Sequence, residues 1–123
     1  MVVSDIKERV MFQTNNDRDD AHEYEPHLLD YINEGYDILL YEVSGVHVGD
    51  TGYPRLDDNT DEPVAASVPE WAQNALSDYA SYRICLNGNA QRQSRGMVFL
   101  ASFNRIKGRL KAGNDTTITN IPI

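Results

Sequence analysis

The chain has 123 residues, 41% hydrophobic and 24% charged, and a formal net charge of −8, which suits one globular domain with its own core. No run approaches the roughly 20 apolar residues that span a bilayer, and "MVVSDIKERV" has no apolar core behind a basic start, so no secretory signal is expected. Cys85 is the single cysteine; an internal disulfide is excluded, and a reducing compartment fits.

In chain order, Ser4 is suited to capping a short first helix marked by Ile6, Val10 and Met11, which fades into the polar run "TNNDRDD". The second helix is predicted to start at Pro26, whose missing N–H costs nothing at a first helical position. Leu29, Ile32, Tyr36, Leu39 and Val43 then recur at steps of 3, 4, 3 and 4, with Leu28 and Leu40 widening the stripe. Gly45 is placed to stop it. Residues 46–66 form a long connection with Gly49, Gly52 and Pro54 in its first half and acidic residues in its second; "GVHV" is a candidate short strand.

The third helix is predicted from "SVPEW", with Pro69 in its first turn and Ala72, Ala75, Tyr79, Tyr82 and Leu86 on one stripe flanked by Trp71. Cys85 lies in that apolar pattern and reads as a small buried hydrophobe. "NGN" at 87–89 implies a tight antiparallel hairpin, with Gly88 as the left-handed residue and Asn89 as the next N-cap. The fourth helix is predicted from about Ala90 to Lys111, with Gly96, Phe99, Phe103, Ile106 and Leu110 inward and Gly113 ending it. "NDTTITNIPI" loses the helical period and reads as an extended arm with three isoleucines. The expected fold is all-α: a small four-helix bundle over 1–113 with a long loop between helices two and three, and an extended C-terminal arm over 114–123.

Charge is unevenly shared. Residues 1–67 hold 16 acidic and 4 basic side chains, whereas 68–123 hold 3 acidic and 7 basic. A chain with opposed halves attracts its own copies. The candidate partner-binding residues are therefore Arg105, Lys107, Arg109 and Lys111 on the fourth helix, unless they form only a solvated face, and Ile118, Ile121, Pro122 and Ile123 in the arm, which either packs back on its own bundle or, on the favoured reading, docks on another subunit.

Catalytic templates fit poorly. In "HEYEPH", His22 and His27 are five apart rather than the four that set two histidines on one helical face, and Pro26 is expected to break the helix between them. Glu23 and Glu25 are better read as negative charge near a helix N-terminus. In "DDNTDEP", Asp57, Asn59 and Asp61 match the first calcium-loop ligands, but Glu62 stands where glycine is needed and Val68 where glutamate is needed. There is no phosphate loop and no dinucleotide fingerprint. No catalytic residue, metal or cofactor is assigned, and an enzyme is not expected.

"HLLDYINEGYDILL", followed by "VPEWAQNALSDYASYRICLNGNAQRQSRGMVFLASFNRIKGRL", resembles the head–tail connector (adaptor) proteins of tailed bacteriophages over roughly residues 4–112. Leu28, Leu29, Tyr31, Ile32, Asn33, Glu34 and Gly35 match the family's first helical motif. Pro69, Ala75, Leu76, Asp78, Tyr79, Tyr82 and Arg83 match its second, and Asn89 and Ala90 open the last helix. The resemblance implies a structural virion protein of the head–tail neck, assembled in the host cytoplasm. It implies a homo-oligomeric ring, commonly a dodecamer, beneath the portal protein. Such a ring extends the channel through which genomic DNA passes without sequence-specific binding, and carries head-closure or tail proteins. The alternative is a small phage or bacterial regulator whose basic last helix binds nucleic acid; a metal-dependent enzyme using His22, Glu23 and His27 is a third reading.

Overall fold

A computed structural model describes the backbone of residues 3–14, 18–57 and 68–120, and side chains over 3–14, 27–57 and 68–112. Four helices follow in order: α1 (Val3–Gln13), α2 (Arg18–Ser44), α3 (Glu70–Leu86) and α4 (Ala90–Asn120). The fold is all-α, with the long connection between α2 and α3 and no strand among the described residues.

The architecture is organised by α3, which packs against each of the other three helices. Its composition permits this. Ala72, Ala75, Ser77, Ala80 and Ser81 are all buried, and their small side chains let three neighbours approach at once. The predicted stripe captured only part of this. Ten of the 17 residues of α3 are buried, whereas Leu86 and Trp71 at the stripe's edge are exposed.

Two glycines tighten the joints. A Cβ on Gly96 of α4 would stand 2.7 Å from the Cys85 Cβ, and one on Gly35 of α2 would stand 3.1 Å from the Tyr79 ring. Gly108, also within α4, has nothing within 4 Å of its Cβ position. It carries the helix penalty of about 1 kcal/mol relative to alanine with no close neighbour to require it.

The core joins Ile6 and Val10 of α1, Leu28, Ile32, Tyr36, Leu39 and Leu40 of α2, Leu76 and Ile84 of α3, and Phe103 and Leu110 of α4. Full burial of one such aliphatic side chain contributes about 1.5–3 kcal/mol. In α2 the stripe centres on Leu28 and Leu40, while Leu29 and Val43 are only half-buried. The connection is fixed to the core at its middle by Leu56 and just before α3 by Val68, each essentially fully buried.

Several boundaries differ from the sequence reading. Ser4 lies inside α1, one residue past its first described turn position, rather than capping it. Pro26 lies inside α2, which runs unbroken from Arg18. A proline forfeits one backbone bond, and the long buried stripe that follows holds the helix together. Pro69 is the N-cap of α3, just outside it. "GVHV" forms no strand but leads into a turn, with Gly45, Gly49 and Gly52 at positive φ. Gly88 is not left-handed. Asn87 closes α3 in the right-handed region, and Gly88 is needed because the Arg92 side chain passes 2.7 Å from its Cβ position. Asn89 does cap α4, accepting the Arg92 N–H at 2.9 Å.

The largest difference is the C-terminus. α4 continues through Gly113 to Asn120 instead of giving way to an extended arm at Asn114. Adding residues to an existing helix needs no new nucleus, so one glycine costing about 1 kcal/mol does not end it. At 31 residues α4 is about 46 Å long, against about 26 Å for the 17 residues of α3. It therefore outruns the helix it packs on.

Substituting Gly96→Val is expected to destabilise the bundle by about 1–3 kcal/mol in urea unfolding, through overpacking against Cys85.

Candidate functional site

The residues with chemistry to offer fall into three clusters and one outward face. The first cluster lies on the α2–α3 seam. Glu34 accepts hydrogen bonds from the Tyr79 hydroxyl at 3.2 Å and from the Arg83 guanidinium. Arg83 also stacks over the Tyr31 ring, 4.9 Å from its centroid, and the Tyr79 ring covers Gly35. The two quoted sequence motifs thus meet residue to residue. Burial raises the Tyr79 phenol above its ordinary value near 10, with the Arg83 hydrogen bond opposing and Glu34 reinforcing the shift. Arg83 is held more firmly protonated, first by its bond to Tyr79 and then by the Glu34 charge.

The second cluster clamps the connection onto α2. The Asn33 amide donates to the carbonyl oxygens of Leu56 and Leu29 at 3.0 Å each, and its oxygen accepts the Leu56 N–H at 2.8 Å. Asp37 accepts the Val48 N–H at 2.8 Å and lies 3.0 Å from His47 Nδ1. His47 stacks on Tyr41, and Arg55 pairs with Asp30. Asp30, Asn33, Glu34 and Asp37 line an open cleft with Val48 and Arg55. Its carboxylates already have cationic or backbone partners. Asp30, Asn33 and Asp37 follow at steps of 3 and 4 beside the apolar stripe. That spacing was the available signal for a loop-binding face, and sequence reasoning passed over it.

The third cluster joins α1, α3 and α4. Gln13 donates to Asp78 at 2.8 Å and accepts from Ser81 at 2.6 Å; Ser102 donates to the other Asp78 oxygen at 3.0 Å. Arg95 donates to the Gln13 carbonyl at 2.8 Å. Asp78 is buried, and these donors replace the water it has lost.

The outward face is that of α4. Between residues 90 and 112 it carries six basic side chains and no acidic one. Of the predicted partner-binding residues, Lys107 is turned inward to Glu42, at 3.7 Å, and Arg109 covers the Trp71 ring at 4.9 Å. Both brace α4 within its own chain. Arg105 and Lys111 are exposed, and Arg105 lines a groove with Val98, Phe99, Ala101, Ser102 and Asp78. Ile118 lies on the terminal stretch of α4, while Ile121, Pro122 and Ile123 fall outside the described residues.

Of the other candidates, His22 and His27 now share one helix but keep their five-residue spacing, and His27 sits beside the Tyr31 ring. Asp57 is exposed; the rest of the calcium-like run, Asn59, Asp61 and Glu62, lies outside the described residues. Among the described residues no three His, Cys, Asp or Glu side chains gather around one point, and no helix is long and apolar enough to cross a membrane. Cys85 is buried and its thiol is raised by desolvation, with Arg92 and Arg95 opposing. It is poorly disposed to act as a nucleophile. No family model, curated protein or solved structure matches the chain.

Removing the Asn33 side chain strands two buried backbone groups of Leu56. Asn33→Ala is therefore expected to cost about 1–3 kcal/mol and to speed proteolytic cleavage within residues 46–57. Tyr79 supplies a pH signature. Its phenol is raised in the folded chain, so its contribution is complete below about pH 10 and is lost as pH rises through the raised value. Tyr79→Phe should lose less stability than the parent as pH rises above about 10 in thermal melts.

Proposed function

We propose that the chain is a structural subunit of a phage head–tail connector, a ring that docks beneath the portal protein and carries head-closure or tail proteins. The observation that supports this reading is the meeting of the two resemblance motifs. Glu34 and Gly35 of one contact Tyr79 and Arg83 of the other across the α2–α3 seam. Residues that match a family motif and make the mutual contacts of a bundle are those a shared fold requires.

The chemistry of the clusters is compatible with an assembly role. Carboxylates, serines and the amide of Asn33 are committed to joining helices and holding a loop, an arrangement that makes a firm platform. A conduit for DNA has no need of base readout and functions best without a tight grip on phosphate. The overhang of α4 beyond α3 offers an element to reach a neighbouring ring.

A nucleic-acid-binding regulator is the competing reading, favoured by the six basic residues without a carboxylate between 90 and 112. The two separate in one experiment. Mixed with the portal protein of the same phage, the chain is expected to appear as a ring on the portal in electron micrographs, and removal of residues 114–123 should abolish capture. Failure to join the portal, with salt-sensitive binding to duplex DNA by the isolated chain, would establish the regulator instead.

A further inference from the structure

We propose that the groove on α4 lined by Val98, Phe99, Ala101 and Arg105 is the docking site for a second copy of this chain, entered by Phe12 and Glu8 from the outward side of that copy's α1. The first observation is apolar surface left in water on both elements. Phe12 is 77% exposed, the most of any described large hydrophobic, although Val3, Ile6 and Val10 of the same helix are buried. Its own groove does not receive it. On the rim of that groove Val98 is 67% exposed. Ala101 stands between Val98 and Arg105 on one line of α4, and its small side chain leaves room for a ring.

The second observation is charge that no neighbour has taken, and it selects the occupant. Lys107 and Arg109 are engaged within the chain, whereas Arg105 is exposed and has no partner among the described residues. The carboxylates of Asp30, Glu34, Asp37 and Glu42 on α2 are all paired. Glu8 of α1 is exposed and, among the described residues, pairs with nothing. Glu8 and Phe12 are four residues apart, as are Arg105 and Ala101, and each pair spans about 6 Å of helix. A Phe12 ring seated over Ala101 therefore brings Glu8 level with Arg105. Arg9, about 100° round the helix from Glu8, falls on the opposite flank of Phe12. The third observation is position. Gln13, next to Phe12, donates to Asp78, which lines the groove, and its carbonyl accepts from Arg95 of α4. Ring and groove thus border one another within one copy, and two copies about a two-fold axis each give and receive a Phe12. The pairing is independent of the connector reading.

Sedimentation of the full-length chain over a range of concentrations tests it. The parent is expected to dimerise. Phe12→Ser should weaken dimerisation roughly tenfold or more while its thermal midpoint is unchanged, a pairing of effects that a side chain serving only its own fold does not give. Glu8→Arg and Arg105→Glu should each weaken dimerisation, and the two reversals combined in one chain should restore it. A parent that stays monomeric at every concentration overturns the proposal. A Phe12→Ser chain that dimerises as the parent does, or a double reversal no better than either single one, overturns it too. So does loss of duplex-DNA binding in Arg105→Glu with dimerisation intact, which would assign Arg105 to nucleic acid instead.

Discussion

The close packing of α3 against three neighbours is the constraint on which the rest of the molecule depends. Its alanines and serines make room, Gly35 and Gly96 bring α2 and α4 against it, and the buried Asp78 ties α1 and α4 to it through Gln13 and Ser102. A buried carboxylate is costly unless its lone pairs are engaged. Its two bonds therefore specify where α1 and α4 sit as much as they add stability.

That arrangement leaves an unequal surface. On one side α2 is dressed by the connection, held through Asn33 and Asp37. On the other, α4 is braced by Lys107 on Glu42 and by Arg109 on Trp71, while Val98 and Arg105 face outward. Residues that the sequence grouped together as one basic patch thus divide by role. Two hold the helix to its own bundle, and Arg105 and Lys111 are exposed. The same division applies to the polar residues of the motifs, whose bonds are spent inside the fold.

The helical periods of α2 and α4 were legible because each buries one broad stripe, which leaves a plain 3–4 pattern. In α3 the pattern was partly hidden, since a helix covered by three neighbours buries Gln73, Ser77 and Ser81 as well as its apolar residues. Helix ends were read less well. Pro26 and Gly113 carry local signals for a boundary, yet the chain remains helical through both, because tertiary packing and propagation outweigh one unfavourable residue. The inward turn of Lys107 and Arg109 and the clamp formed by Asn33 depend on contacts between residues 23 to 65 positions apart, and no local window contains them.

The central claim is that α3, packed against all three other helices, holds the bundle together. Native-state amide hydrogen exchange tests it most directly. The amides of residues 75–85 are expected to exchange slowest, only through global unfolding. Exchange that is slower in α1 or α2 than in α3 would contradict the account.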